Sequence, residues 1–520
     1  MAINFLSGFR LSDKKSYLSL LVFSMLTGVL IYLTLISQQL TNHYDGLWSD
    51  PWYEAGKWEL SIGRWFWLFL DRFRMGYAAD PFNSYLALLF IALGNVFLID
   101  TFSLAGKKIA YLVSAMILSS TTISVFLSYR FTSPTFGLGY LLSISAAWAL
   151  HKLENRWAAM IVSSGMICLS LGLYQADLGC TCMLILLIFL FKCLGKSDEK
   201  EIFEFLIKSA VSVMVGCLAY KLIWDMFMNY FHAQPNSYNG ASNVSVLLIL
   251  SKMPTRILAA YTQFFKYFFG NTIKHSIFQQ YKFYFIVFIA FGGFLLWKSV
   301  SLVKKRTWIK FAMYMLAVIL IPIACNVTMI LAPESGFLIQ QTAAMAILFP
   351  SILCLVSTLS GDQNKKYMVF KFCVMGISLL ILYGNIYMTA IDLEAMYEGK
   401  ASSDAIMDHV VHTLIDDDLY SEEKEYLFVG RISDNQMFRT TILWNYANSY
   451  ARYGEFMMGG KVTSMSYQGM LRKMNLSVAE ENVYESYLKT DLIRGMPSYP
   501  AKGSIQEIEG RVVIKISDVY

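Results

Sequence analysis

Apolar stretches of about 20 residues recur along the whole chain, and they constrain its fold more than any other feature. A hydrocarbon layer about 30 Å thick is crossed by a helix of about 20 residues, so each such stretch predicts a membrane-spanning helix. The chain is 56% hydrophobic and only 15% charged, whereas soluble domains carry about 25% charged residues. We therefore predict a polytopic α-helical membrane protein.

About eleven spans are predicted, with one further or re-entrant element between 244 and 273. The first span has no small-residue cleavage site and leads into a chain that stays hydrophobic, which favours a retained helix over a cleaved signal peptide. The predicted spans are 17–37, 83–103, 109–128, 134–150, 157–174, 176–193, 208–227, 281–299, 310–331, 337–359 and 368–390.

Lysine and arginine collect in every second connection between the spans. They precede the first span and recur at 107–108, 152–156, 192–208, 298–310 and 365–366. Because cytoplasmic loops carry an excess of these residues, the N-terminus is predicted to be cytoplasmic. The alternate loops then face outward, and eleven spans place the C-terminal segment on the outer side as well. Basic residues in the outer loops indicate either an anionic ligand or side chains that reach toward lipid headgroups.

The composition changes after Asp392, where the chain becomes charged, turn-rich and free of cysteine. We predict a transmembrane domain, 1–393, whose first external loop spans 38–82, and a small external α/β domain, 394–520. The patterns in this second domain predict helices at 402–415 and 438–453 and strands at 425–429 and 511–516.

The first external loop concentrates acids and tryptophans beside the membrane. Asp45, Asp50 and Glu54 stand close to five tryptophans between 48 and 67. A carboxylate held beside a lipid headgroup can act as general base on an acceptor hydroxyl. Asp45 is therefore the leading catalytic candidate and Asp50 the second, and the alternative is that these are solvated loop acids.

The second half of this loop, 56–77, places apolar residues at helical spacing with arginines between them. This pattern predicts an interfacial helix that lies flat on the membrane. Such a helix can present Arg64 to a lipid phosphate, because a guanidinium donates two hydrogen bonds to phosphate oxygens. The alternative is that the arginines pair with Asp71 or with lipid headgroups.

Other outer turns carry polar side chains that fit a sugar phosphate. Tyr174, Gln175 and Asp177 place a phenol, an amide and a carboxylate in one short turn, and sugar hydroxyls need such donors and acceptors. Arg130 is a candidate for neutralising a phosphate, and Glu334 for hydrogen-bonding a sugar. The alternative for each residue is a turn that is polar because it meets water.

The remaining composition argues against several classes of site. The eight cysteines lie in or beside apolar segments, which favours buried free thiols over disulfides. Cys180 and Cys182 have no His or Cys neighbours at zinc spacing, so no zinc site is predicted. The net charge of +6 comes largely from the cytoplasmic-side loops, and no basic cluster with interleaved aromatics indicates nucleic-acid binding.

Short motifs at separate places in the chain carry a resemblance to a known family. The first external loop contains Gly63-Arg64-Trp65, a later turn contains Tyr174-Gln175, and the C-terminal domain ends with RGMPSYPAKG at 494–503 followed by the RVVIKIS strand. In this arrangement the chain resembles, over nearly its whole length, the bacterial membrane glucosyltransferases of the type II serotype-conversion family, which modify O-antigen with a polyprenyl-phosphate sugar.

The resemblance implies a GT-C type fold whose catalytic acid lies in the first external loop. Asp45 would deprotonate the acceptor hydroxyl, which would attack the anomeric carbon with inversion, while Arg64 or Arg130 stabilises the leaving polyprenyl phosphate. The family loop often has adjacent acids, but here Asp45 is followed by Gly46. This departure leaves the choice between Asp45 and Asp50 open and makes a divalent metal less favoured, so no cofactor is predicted. The donor is expected to be glucosyl, although these residues do not distinguish glucose from other hexoses.

The resemblance also implies where the protein works and with what. We expect a bacterial inner-membrane protein with a periplasmic C-terminal domain, a polyprenyl-phosphate sugar donor, a polysaccharide acceptor and membrane lipids as partners, and a flippase and a polyprenyl-phosphate glucosyl synthase as further partners. A transporter or flippase of lipid-linked glycans and an envelope scaffold are the alternatives. Few mid-membrane charges and no evident repeat favour the enzyme over the transporter.

Overall fold

The computed structural model is mostly helical and describes residues 14–41, 44–49, 52–236, 238, 246–270, 279–304, 307–332, 334, 336–360, 365–439, 442–452, 461–479, 483, 486–487 and 490–518. The helices up to residue 360 are α1 (Lys14–Ile31), α2 (Leu33–Ser37), α3 (Tyr44–Ser49), α4 (Lys57–Ser61), α5 (Trp67–Arg74), α6 (Phe82–Thr101), α7 (Lys108–Leu118), α8 (Thr121–Ser128), α9 (Ser133–Lys152), α10 (Arg156–Leu173), α11 (Leu178–Leu194), α12 (Glu199–Tyr230), α13 (Val246–Phe269), α14 (Gln280–Lys304), α15 (Trp308–Cys325), α16 (Val327–Leu331) and α17 (Ala343–Ser360). The later elements are α18 (Lys365–Asp416), β1 (Glu425–Val429), α19 (Gln436–Arg439), α20 (Ile442–Tyr450), α21 (Lys461–Lys473), β2 (Ser477–Val478), α22 (Asp491–Gly495), β3 (Ile505–Ile508) and β4 (Arg511–Lys515).

Within these residues, nine helices are long and apolar enough to cross a membrane, and the bent pair α7 and α8 adds a tenth. They coincide with ten of the predicted spans. The other predicted span, 134–150, coincides with α9, which packs between α6 and α10. A carbon added at Gly137 would come within 2.8 Å of the Ala87 carbonyl oxygen, so small residues in α9 let the helices approach closely. The predicted polytopic α-helical fold is confirmed, and it is consistent with the GT-C type.

The predicted span 109–128 is a broken helix. α7 and α8 meet at an angle of 52°, with Ser119 and Ser120 at the break. The Tyr32 hydroxyl donates to the Leu118 carbonyl at 2.6 Å and contacts Ser124 Oγ at 2.8 Å, so the turn between α1 and α2 supplies a partner on both sides of the break. The bend therefore depends on a residue that is remote in sequence.

The last predicted span continues beyond its apolar segment without interruption. α18 contains 52 residues, about 78 Å at 1.5 Å per residue, whereas the hydrocarbon layer is about 30 Å thick. The separate helix predicted at 402–415 is therefore wrong. Ser403 Oγ donates to the Gly399 carbonyl at 2.7 Å inside the helix. This serine therefore continues α18 and does not cap a new helix.

The C-terminal region forms a small mixed sheet against the C-terminal part of α18. Its strand order is β2-β1-β4-β3, with β1 parallel to β2 and β4, and β3 antiparallel to β4. Both predicted strands are confirmed, while the predicted helix 438–453 is represented by α19 and α20. Tyr426 and Phe428 face one apolar cluster and Leu427 and Val429 face another, so β1 is covered on both sides. Leu47 of α3 joins the first cluster, which docks the first loop onto this domain.

The interfacial helix predicted at 56–77 is wrong as a single element. Two short helices, α4 and α5, flank a turn in which Gly63 has φ +87°, a conformation that favours glycine. α5 nevertheless has an apolar outer face, because Phe73 is 88% exposed while Asp71 is buried. This inverted polarity favours contact between α5 and lipid.

Candidate active site

The Gly63-Arg64-Trp65 turn and the Tyr174-Gln175 turn, which carried the family resemblance, form one structure. Gln175 Nε2 donates to the Ile62 carbonyl at 2.7 Å and to the Tyr220 hydroxyl at 3.1 Å. A carbon added at Gly63 would lie 2.2 Å from that hydroxyl, so only glycine fits. Gln175, predicted to bind substrate, thus uses its amide to hold the turn that presents Arg64.

Arg64 is half-buried between two aromatic rings. Its guanidinium carbon lies 5.3 Å from the centroid of Trp67 and 5.4 Å from that of Tyr174. Stacked rings cover the faces of a guanidinium and leave its in-plane N–H groups for acceptors. Its Nε is buried and has no hydrogen-bond partner, and Arg64 makes no ion pair with the described residues. A buried donor without a partner is costly, so this group is suited to an anionic ligand.

Two buried acids, whose burial the sequence reading missed, hold the loop around Arg64. Glu59 is 2% exposed; it accepts from the Tyr53 hydroxyl and from the Gly56 amide, the latter at 2.8 Å. Asp71 accepts from the Ala55 amide and from Arg74 Nε, both at 2.7 Å. Burial raises the pKa of both carboxyls above their ordinary values, against the lowering effect of these hydrogen bonds. Glu59 caps the start of α4 by accepting from the Gly56 amide, but glycine has no side chain to return the bond, so the sequence holds no complete capping-box signal.

Arg130, the second arginine predicted to meet a phosphate, is buried and already paired. Its Nε lies 2.9 Å from Asp80 Oδ2, and its Nη1 donates to the Gln39 carbonyl at 3.0 Å. Its phosphate-binding role stays a prediction, and the existing ion pair makes Arg64 the better placed of the two.

The turn that contains Tyr174 and Asp177 is buried instead of facing water. Tyr174 packs edge-on against Phe136 at 5.1 Å. Asp177 is 0% exposed, and among the described residues neither of its carboxylate oxygens has a hydrogen-bond partner. A carbon added at Gly139 would lie 2.5 Å from Asp177 Oδ2, so the carboxylate rests on that helix. The predicted sugar contact of Asp177 is untested, and the enclosed carboxylate argues against direct contact in this conformation.

Asp45 lies in the first turn of α3 and is half-buried. α3 packs against α21 and the 3-10 turn Arg130–Thr132. A carbon added at Gly46 would lie only 1.8 Å from Thr41 Oγ1, so the position after Asp45 has no room for a second carboxylate. Asp50 lies outside the described residues, and Glu334 is exposed in the loop before the 3-10 turn Ile339–Thr342.

The C-terminal domain holds the helix that carries Asp45. The Arg472 guanidinium stacks 4.3 Å from the Trp48 ring and donates to the Trp48 carbonyl. Gly469 of α21 approaches so closely that an added carbon would lie 2.8 Å from the Leu47 carbonyl oxygen. These contacts give the distant domain a direct role in placing α3.

A second polar region, which the sequence reading missed, lies beside the broken helix. Arg452 is paired with Asp392 at 2.9 Å in a buried position, and it donates to Thr121 Oγ1 at 2.6 Å and to Thr389 Oγ1 at 3.1 Å. A small cavity of about 30 Å³ adjoins this pair. Its polar and aromatic lining consists of Ser120, Thr121, Tyr267, Gln280, Tyr284, Phe349, Asn385 and Arg452.

The cysteines and acids bear on disulfides and metal sites. All eight cysteines are free, but the predicted burial is wrong for Cys373, which is exposed. Within the part of the chain that the structure describes, no group of three or more His, Cys, Asp or Glu side chains could hold a metal ion. Since Asp50 lies outside that part, metal dependence in the first loop stays an untested prediction.

Comparison with known proteins places the two motif turns within one family. No curated protein and no solved structure matches the chain. A family model described as "Glucosyl transferase GtrII" matches residues 51–349, more than half of the chain. The matched segment includes Arg64 and its aromatic neighbours, begins after Asp45 and Asp50, and ends before the sheet domain. With its two turns interlocked inside the matched segment, the chain belongs to the GtrII family of glucosyl transferases.

Proposed function

We propose that this glucosyl transferase moves a hexose, glucose by the family description, from a polyprenyl-phosphate donor to a polysaccharide acceptor such as O-antigen. The reaction takes place on the periplasmic face of a bacterial inner membrane. The observation that carries the proposal is the aromatic-flanked guanidinium of Arg64 in the first loop, which has no ion-pair partner among the described residues.

Arg64 binds the donor phosphate in this proposal. A phosphate oxygen supplies the acceptor that Arg64 Nε lacks, and a partly dehydrated, preorganised guanidinium stabilises the negative charge that grows on the leaving polyprenyl phosphate. The exposed apolar face of α5 offers a path along which a prenyl chain can reach this phosphate from the bilayer. Trp67 and Tyr174 fix the orientation of the guanidinium.

Asp45 is the proposed general base, with Asp50 as the alternative. The carboxylate takes the proton of the acceptor hydroxyl, the hydroxyl oxygen bonds to the anomeric carbon, and the bond from that carbon to the phosphate oxygen breaks with its electrons remaining on polyprenyl phosphate. Attack opposite the leaving group inverts the anomeric centre. The packing of α3 against α21 supports a fixed position for Asp45.

The proposed location rests on charge. The lysine and arginine bias supports a cytoplasmic N-terminus, with the first loop and the sheet domain on the outer side. A sugar that is activated in the cytoplasm must then be carried across, so a polyprenyl-phosphate glucosyl synthase and a flippase are the proposed partners.

The test uses purified full-length protein with synthetic polyprenyl-phosphate glucose and delipidated polysaccharide acceptor. We expect acceptor-dependent release of polyprenyl phosphate, and we expect Asp45→Asn to lower its rate by about 10²- to 10⁴-fold, the usual contribution of a general base. The amount of membrane-inserted protein should stay unchanged. Asp50→Asn is the companion variant.

Two outcomes would change the proposal. Full activity of Asp45→Asn together with loss in Asp50→Asn would move the base to Asp50. If the wild-type protein moved the lipid-linked sugar between leaflets and released no lipid phosphate, the transfer reaction would be wrong and the flippase alternative would replace it.

A further inference from the structure

A group of basic side chains surrounds Phe205 at the end of the bundle opposite the first loop. α9 and α11 end there, and the first turns of α12 pack beside them. The Nζ atoms of Lys192 and Lys208 each lie 5.6 Å from the centroid of the Phe205 ring, and Phe205 itself is 1% exposed. Together with His151 and Lys152 these residues form the Phe205 cluster.

The two ammonium groups on Phe205 make no ion pair with the described residues. Lys192 and Lys208 also make no hydrogen bond within that part of the chain, and both lie over the ring. Glu204, the acid that faces Lys208, lies 4.0 Å from Arg156 and is half exposed. Two like charges held beside one apolar ring repel each other, so an anion between them would stabilise this arrangement.

The other two members of the cluster do not neutralise it. Lys152 donates to Ser103 Oγ at 2.8 Å, and the acid that faces it is Asp100. The His151 ring stands edge-on to Phe205 at 6.4 Å, and its Nδ1 is buried without a hydrogen-bond partner. Lys152, Lys192 and Lys208 all lie within electrostatic range of the His151 ring. The cluster therefore combines excess positive charge with an unused polar atom.

We propose that the Phe205 cluster binds a phosphate group, and that this phosphate belongs to the headgroup of an anionic phospholipid. Basic pockets between membrane-spanning helices recognise such headgroups by charge. Phe203, Leu206 and Ile207 of α12 are exposed beside the cluster and give the acyl chains an apolar surface, which a free phosphate would not use. This site is separate from Arg64 and does not depend on the proposed function.

Simple snorkelling does not account for this geometry. Lysines that snorkel extend their ammonium groups toward water to escape the apolar layer. Lys192 and Lys208 instead turn their ammonium groups onto a buried ring and remain half-buried.

Thermal unfolding of the full-length protein in a neutral detergent tests the site. Phosphatidylglycerol should raise the unfolding temperature in a saturable way, because a ligand of the folded state stabilises it, whereas phosphatidylcholine should not. Lys192→Gln/Lys208→Gln should weaken the apparent affinity for phosphatidylglycerol by about 10- to 30-fold, since each lysine near an anionic headgroup contributes about a factor of five. The matched control is Lys196→Gln/Lys200→Gln, which removes two exposed lysines from the same region and should leave the affinity unchanged.

Three outcomes would overturn the proposal. Equal stabilisation by phosphatidylcholine would remove the role of charge, and an equal loss of affinity in the control variant would remove the role of these two lysines. Inorganic phosphate serves as the second probe. The third outcome is that inorganic phosphate stabilises the protein in a saturable way, that the Lys192→Gln/Lys208→Gln variant loses this effect, and that phosphatidylglycerol has no effect. The phosphate bound by the cluster would then not belong to a lipid.

Discussion

Arg64 differs from the exposed arginine of the same loop in what surrounds its guanidinium. Arg72 is exposed on α5, whereas Arg64 is flanked by Trp67 and Tyr174 and keeps a buried Nε without a partner. A lysine keeps the charge but loses the planar stacking and the paired N–H groups.

Arg64→Lys should therefore lower kcat/KM for the lipid-linked donor by about 10- to 100-fold, a loss of about 1.4–2.8 kcal/mol of transition-state stabilisation. Steady-state rates at varied donor concentration measure this effect. Arg72→Lys is the control and should change kcat/KM by less than about twofold, since an exposed charge contributes little. An equal loss in both variants would show that the loop needs only positive charge.

Glu59 gives the loop a stability that depends on pH. Burial raises the pKa of this carboxyl in the folded state above its ordinary value of 4.5. The folded protein then binds the proton more tightly than the unfolded chain, so the contribution of Glu59 is fully present below pH 4.5 and is lost as pH rises through the raised pKa.

Glu59→Gln cannot titrate and should remove this dependence. Its unfolding temperature relative to wild type should rise between pH 4.5 and the raised pKa and stay constant above it. Thermal unfolding over pH 4.5 to pH 8 measures the difference. Glu54→Gln, which changes an exposed acid in the same loop, should show no such trend, and a trend of opposite sign in Glu59→Gln would contradict the assignment.

At the scale of elements, the tight packing of α3 leaves no space for a side chain directly after Asp45. The space that a side chain at Gly46 would need is filled by Thr41. The position of Asp45 thus depends on a glycine beside it and on α21 behind it.

Gly46→Ala should destabilise the protein by about 1–3 kcal/mol, the usual cost of overpacking, and should lower transfer activity by moving α3. Thermal unfolding and transfer rates measure both effects. Thr41→Gly added to Gly46→Ala removes all three atoms nearest the new carbon and should recover part of the activity. Gly495→Ala, where no atom lies within 4 Å of the added carbon, should change little. Failure of the double variant to recover any activity would contradict the steric explanation.

The spans and the two main strands could be predicted because their signals are local. An apolar window of about 20 residues identifies a span without reference to its neighbours, and alternation identifies β1 and β4. The turn at Gly63 and the break at Ser119 and Ser120 could not be predicted in this way. Their partners, Gln175 and Tyr32, lie far away in sequence.

At the scale of the whole molecule, Arg452 and Asp392 join the sheet domain to the bundle. They are 60 residues apart in sequence and both are almost fully buried in the structure. Removing one partner leaves the other charge buried without compensation, which costs about 3–5 kcal/mol.

Arg452→Met should therefore destabilise the protein by about 3–5 kcal/mol, while Arg452→Met/Asp392→Leu should cost less than the sum of the two single variants. Thermal unfolding of the four proteins in detergent gives this coupling. The exposed pair Lys400–Asp404 is the control, and its removal should cost less than about 1 kcal/mol. Additive losses at Arg452 and Asp392 would contradict a direct coupling between them.

In the candidate site, too, residues with a local sequence signal could be predicted and those set by tertiary packing could not. Arg64 could be predicted because its motif stands in a loop rich in acids and tryptophan. The pairing of Arg130 with Asp80 and the enclosure of Asp177 could not, because burial and pairing are set by tertiary packing. The role of Asp45 stays a prediction that only the transfer assay can decide.

The continuous helix α18 ties the rotational phase of the sheet domain to the membrane. Each residue of an α-helix turns the chain by about 100° and advances it by about 1.5 Å. One residue inserted between the apolar part of α18 and the sheet would rotate the sheet domain by about a quarter turn. The contacts of Arg472 with Trp48 and of Arg452 with Thr121 would then be lost. An insertion of 18 residues, five whole turns, would restore the phase but lift the domain by about 27 Å. The length of this helix is therefore as constrained as its sequence.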